Sequence, residues 1–152
     1  MKLSANFYLQ EFISSDTATR NNIDNTPSPS IIGNLTILAQ GLEHIREVLD
    51  NKTIHINSGY RCQELNTIIK GSKTSAHMQG YAADFICPSF GRPIDIVKKI
   101  VSSGIKFDQV IQEGTWVHIS FDPKMRQEVL TANFNKTGTT YIKGIQETTY
   151  GT

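Results

Sequence analysis

The stretch FDQVIQEGTWVHISF, residues 107–121, decides how this chain folds. Two alternating runs, FDQVIQ and WVHISF, flank Gly114 and Thr115. Alternation with a period of two marks strands with one buried face. Glycine at the first position of a two-residue loop suits a type II′ hairpin turn. That register sets Glu113 opposite Trp116, Ile111 opposite His118 and Gln109 opposite Ser120. Opposed residues share a face, so Glu113, Trp116, His118 and Ser120 project to one side. Val117, Ile119 and Phe121 project to the other, the core side. A carboxylate, an indole and an imidazole therefore gather on the non-core face of a strand pair.

A second stretch, SAHMQGYAADF at residues 75–85, supplies what that face lacks. Its strand periodicity puts Ala82, Asp84 and Ile86 on one face and Ala83, Phe85 and Cys87 on the other. A carboxylate among small apolar neighbours is costly to bury unless it is paired. His77 precedes the strand, and Gly80 permits a bend that returns it toward Asp84. With this strand beside WVHISF, His77, Asp84 and His118 converge. Two imidazoles and one carboxylate form a three-ligand set for a single zinc ion, and three protein ligands leave a fourth position open, as in catalytic sites. His44 and His55 have no such company and read as structural.

Outward from these stretches the chain reads as one α+β domain: a small antiparallel sheet backed by helices. Residues 1–30 form an irregular N-terminal arm anchored by Phe7, Tyr8, Leu9 and Phe12, residues 31–122 the core, and residues 123–152 a C-terminal extension. Ser28 is a good N-cap with Pro29 after it. Leu35, Leu38, Leu42, Ile45 and Leu49 recur at helical spacing, so a helix runs to about residue 50 and ends at Asn51. TIHINSGY and GYAADFICP read as strands and RPIDIVKKIVSSG as a helix closed by Gly104. RCQELNTIIKG reads as a short helix with Leu65, Ile68 and Ile69 on one side and Gly71 as its cap. QEVLTANF and TTYIKGI suggest a late hairpin.

Lys plus Arg number 15 and Asp plus Glu 14, so the formal charge of +1 gives no reason to expect nucleic acid or an anionic membrane as partner. Cys62 and Cys87 are the only cysteines, which excludes a disulfide framework and a four-thiolate metal site. Two buried free thiols are the simpler reading, with a single bridge left open. The N-terminus has no unbroken apolar run, so the expectation is a soluble monomer made in the cytoplasm without a secretion signal and without membrane insertion.

SAHMQGYAAD, followed by WVHIS 34 residues after its aspartate, resembles the zinc D-Ala-D-Ala carboxypeptidase family. That family includes phage endolysin peptidases and shares its fold with the hedgehog signalling domain. The resemblance covers roughly residues 5 to 122, including NFYLQEF near the start and SGYRC upstream of the histidine. It implies His77, Asp84 and His118 as the ligands of one zinc ion. It further implies Arg61 as the group that orients substrate or stabilises an oxyanion, and Ser75 as a substrate hydrogen-bonding residue. Many relatives carry an acidic general base three residues before the last histidine, where this chain has Thr115. A hydroxyl cannot take that proton near neutral pH. Glu113, placed on the site face by the hairpin register, is the expected base, with Trp116 walling the substrate groove.

The expected function is hydrolysis of amide bonds in peptidoglycan stem peptides or cross-bridges by a phage-type cell-wall hydrolase, acting after release or as part of a virion. Two other functions fit the same residues: a non-catalytic zinc-containing binding module of this fold, and a dipeptidase acting on free D-Ala-D-Ala.

Overall fold

The computed structural model describes residues 1–151 of the chain, and its packing centre is the helix α3, Pro29–Val48. Ser28 caps it by accepting from the Ile31 N–H at 3.3 Å, and Pro29 occupies the first helical position, where no N–H is needed. Leu35, Leu38, Leu42, Ile45 and Leu49 are all fully buried, each side chain worth about 1.5–3 kcal/mol of transfer free energy. The helix stops where Asp50 and Asn51 both turn left-handed, at φ 59° and 58°, and the Asn51 N–H returns to the Arg46 carbonyl at 2.9 Å.

Around α3 lie two short helices, α1 (Leu9–Ile13) and α2 (Asp16–Arg20), then β1 (His55–Ser58) and α4 (Gln63–Ile68). A 3-10 turn, Ala76–Gln79, leads into β2 (Ala82–Ile86), and α5 (Pro93–Ser103) follows. The chain ends in β3 (Gln109–Gln112), β4 (Val117–Ser120), β5 (Glu128–Asn135) and β6 (Gly138–Lys143). The six strands form one sheet in the order β1-β2-β4-β3-β5-β6. Ala83, Phe85, Val110, Val117 and Ile119 face the helices and join the core. The chain thus has an α+β fold, a sheet backed by helices.

One pair departs from the all-antiparallel expectation: β3 and β5 run parallel. The connection from β4 to β5 passes the starting end of β3, so Glu128 enters beside Gln109 and runs in the same direction. This loop turns left-handed at Met125 (φ 43°) and Gln127 (φ 55°). Asp108, almost fully buried, clamps it by accepting from the Arg126 backbone N–H at 3.1 Å and from its Nε and Nη2, each at 2.9 Å. The late hairpin forms as β5 and β6, in antiparallel register.

Several local expectations are corrected. The N-terminal arm contains α1 and α2 instead of irregular chain, because Ser15 caps α2 through the Ala18 N–H. Phe7, Leu9 and Phe12 anchor it, but Tyr8 is half exposed, its backbone N–H held by Glu11 instead. Of the three apolar residues read along α4, Leu65 is buried while Ile68 and Ile69 are exposed; six residues make too short a helix to bury three such positions. Lys70, not Gly71, turns left-handed there (φ 61°). Gly71 is needed for a different reason, since a Cβ at that position would collide with the Asn66 side chain. Cys62 and Cys87 are both free thiols, with Cys87 buried and Cys62 half-buried. Among the described residues no helix is long and apolar enough to cross a membrane.

The Asp108 clamp makes a prediction. Hydrogen bonds from Arg126 hold the Asp108 carboxyl below the usual carboxylate range. An acid depressed on folding stabilises above its unfolded pKa and loses that contribution as pH falls through the folded value. Asp108→Asn should therefore destabilise the protein by about 1–3 kcal/mol near neutral pH. In thermal melts the gap to wild type should narrow as pH drops below about 4. A gap of constant size would show that the Asp108 charge does not hold the loop.

Candidate metal centre

The site is built on the sheet face that the helices leave uncovered. β2 and β4 are neighbours, and their register sets Asp84 directly against His118. Ile111 of β3 lies against His118 from the other side, which is the hairpin register expected from the sequence. Gly114 has φ 83°, as a primed turn requires, and the Glu113 N–H closes the hairpin on the Trp116 carbonyl at 3.0 Å.

His77 arrives from outside the sheet. Ser75 caps the 3-10 turn through its hydroxyl oxygen, which accepts from the His77 N–H at 3.2 Å. Gly80 then reverses the chain at φ 76°, where an added Cβ would press on the Ile31 carbonyl oxygen at 3.1 Å and on Leu35 at 3.2 Å. Only a glycine serves both needs. The bend seats the His77 ring beneath the sheet face, where its Nδ1 lies 2.7 Å from the Gly59 carbonyl. A carbonyl only accepts, so Nδ1 carries the proton and Nε2 presents its lone pair.

Asp84 lies at the meeting point. Its Oδ1 is 3.3 Å from His77 Nε2 and 3.0 Å from His118 Nδ1, and its Oδ2 takes the Arg61 Nη2 at 3.2 Å. The two imidazole rings are 5.1 Å apart, edge toward face. One ligand atom from each of His77, Asp84 and His118 lies within 4.8 Å of the others. Burial alone would raise the Asp84 carboxyl, but His77 and His118, both set against Oδ1, outweigh it and hold the group far below its ordinary range. Burial is also the main influence on His77, and it lowers that imidazole despite the attraction of Asp84. An ionised carboxylate beside a neutral imidazole, itself oriented by a carbonyl on its far nitrogen, is the donor chemistry a zinc ion takes. The residues present therefore fit one zinc ion.

The structure brings all the expected site residues to one cleft of about 690 Å³, which Arg61, Ser75, His77, Asp84, Glu113, Trp116 and His118 all line. Glu113 accepts from the Trp116 indole N–H at 3.1 Å through Oε2. Burial first, then the Asp84 charge, push its carboxyl above the usual range, against the pull of His118. Thr115, in the position three before His118, is exposed at the turn. His44 and His55 are exposed and remote from the ligand set. A groove of similar size, about 710 Å³, runs behind Arg61 along the free edge of β1 and holds none of the three ligands. Sequence reasoning missed Tyr141 on β6, which lines the ligand cleft. TTYIKGI had been read as half of a hairpin, but no local signal places that hairpin beside β3.

The family model described as Peptidase M15 matches residues 5–120, a span that holds the whole ligand set, Arg61 and Glu113 and stops before β5. No curated protein matches the chain.

The donor set predicts metal-linked stability. Titrating zinc into chelator-stripped protein should bind one ion per chain and raise the melting temperature, because a ligand that binds only the folded state stabilises it. Asp84→Asn should abolish both effects. Equal zinc uptake by the variant would remove Asp84 from the ligand set.

Proposed function

Because the chain belongs to the peptidase M15 family, a family of zinc metallopeptidases, we propose that it hydrolyses amide bonds in peptidoglycan stem peptides or cross-bridges, as phage-type cell-wall hydrolases do. The observation that carries this reading is the convergence of His77, Asp84 and His118 in a cleft that also holds an acid whose pKa burial raises, Glu113.

His77 Nε2, Asp84 Oδ1 and His118 Nδ1 would hold the zinc ion. Bound there, zinc would polarise a substrate carbonyl and acidify water in its open position. The chain's own groups do the rest. Trp116 occupies Oε2 of Glu113, which leaves Oε1 to take a proton from the attacking water and return it to the departing amine. A carboxyl raised above its usual range suits both halves of that task. Arg61 uses Nε on Ser58, at 3.2 Å, and Nη2 on Asp84. Its Nη1 has no partner among the described residues and is available to a substrate oxygen, where a fixed cation stabilises developing negative charge. Ser75 spends its oxygen on the His77 N–H, and its hydroxyl proton is left for the substrate. Trp116 forms one wall of the groove.

The test uses purified cell walls. Turbidity should fall with the zinc-loaded protein, stop with chelator and return with zinc, and mass spectrometry of the products identifies the bond cleaved. Metal-bound protein that releases no product would favour a binding module of the same fold, while activity confined to free D-Ala-D-Ala would make it a dipeptidase. Glu113→Gln should keep zinc and lower kcat about 10²–10⁴-fold. Unchanged turnover would remove Glu113 from the reaction.

A further inference from the structure

We propose that Tyr141 is a positioning residue for Glu113, so that the β5–β6 hairpin, which lies beyond the family-matched residues, is a working part of the site. The inference rests on the reading of Glu113 as the proton-carrying base.

The register carries the argument. Along β3 and β5, Ile111 sits beside Leu130 and Gln112 beside Thr131. One step further sets Glu113 beside Ala132. Across the next strand pair, Ala132 is directly opposed to Tyr141. Neighbours in register share a face, so Glu113, Ala132 and Tyr141 form a row on the cleft side of the sheet. Two strand spacings separate the outer members, about 9–10 Å at the backbone. The residue between them is alanine, fully buried and too short to intervene. A tyrosine leaning over that methyl group can reach the glutamate, and a larger residue at 132 would block it. Both Glu113 and Tyr141 line the cleft that holds the ligand set.

The phenol has the right protonation for this role. Tyr141 is half exposed; the burial of its other half raises the phenol, followed by the nearby charges of Glu113 and Asp84. A phenol above its usual range keeps its proton at neutral pH, so Tyr141, in the same row, has a proton to offer the Glu113 carboxylate. Trp116 already donates to Oε2 from the hairpin side. Two donors arriving from different strands remove the rotation that a glutamate at a turn otherwise keeps.

The same extension braces the turn from behind. Gln112, almost fully buried, donates through Nε2 to the Gln146 carbonyl at 3.0 Å and to Thr148 Oγ1 at 2.9 Å, and its Oε1 accepts from the Gly114 N–H. Tyr150 packs against Gly114 and stacks on Phe134 of β5, ring centres 5.7 Å apart. Residues 146–150 thus put part-buried hydrogen bonds and a stacked ring on the one turn that carries Glu113.

Tyr141→Phe removes the hydroxyl and keeps the ring. On a soluble peptidoglycan stem peptide, kcat should fall about tenfold with KM within about twofold, because positioning acts on the reacting geometry and not on substrate binding. Melting temperature and the one-ion zinc stoichiometry should not change. Trp116 is the only tryptophan, so its indole N–H gives a single NMR resonance that reports the Glu113 carboxylate without any substrate. That resonance should move in Tyr141→Phe. A resonance that stays in place overturns the proposal whatever the rate, as does an unchanged kcat or a rise confined to KM. Glu113→Gln in the same assay separates the two layers. An inactive Glu113→Gln beside a fully active Tyr141→Phe removes Tyr141 alone, whereas an active Glu113→Gln removes the base and the residue that positions it.

Discussion

The structure depends most on how one buried carboxylate is satisfied. Asp84 sits on β2 with Ala82 and Ala83 before it, in surroundings where an unpaired charge would be expelled or neutralised. It stays ionised because three separate parts of the chain bring partners to it: the 3-10 turn with His77, β4 with His118, and the corner after β1 with Arg61. These parts are also joined to one another. The Arg61 N–H donates to the His77 carbonyl at 3.2 Å, and the His77 ring donates to the Gly59 carbonyl. Each partner satisfies part of that carboxylate, so the demand of Asp84 links the placement of all three.

That demand is compatible with folding because the sheet divides its two faces between two tasks. Phe85, Val110, Val117 and Ile119 pack against α3 and α5 and carry the apolar burial. Their alternates, Asp84, Ile111, Glu113, Trp116 and His118, face the cleft. The period-two geometry of strands lets both sets share the same short segments. A register slip of one residue would place every cleft residue in the core, so packing on one side holds the chemistry on the other. The parallel placement of β5 extends this second face across β6, which is how the C-terminal extension reaches a site assembled mostly before it.

Much of this was legible in the residues. The spacing of Leu35, Leu38, Leu42, Ile45 and Leu49 predicts the buried stripe of α3, because helical periodicity is local. The pair Gly114–Thr115 predicts the hairpin register, and with it the shared face of Glu113, Trp116 and His118, since turn geometry sets the pairing. Tyr8 reads as an anchor and Ile68 and Ile69 as an apolar side with Leu65, yet all three are exposed for one reason. Apolar character states a preference, while burial requires a surface to pack against, and these positions have none. Gly71 carried a cap signal, yet Lys70 takes the left-handed angle and Gly71 answers to the Asn66 side chain instead.

By itself the sequence determined the long helix, the central strands with their two faces and the candidate ligands, all of which follow from short-range geometry and from the cost of burying a charge. Only the tertiary structure decided that β5 runs parallel beside β3, that Arg61 serves the free oxygen of Asp84, and that Tyr141 lines the same cleft as Glu113. Those facts join residues 23 positions apart in one case and about thirty in the other. Strand order and direction are set by the packing and loop clamps of the whole chain, such as Asp108 on Arg126, and no local periodicity encodes them.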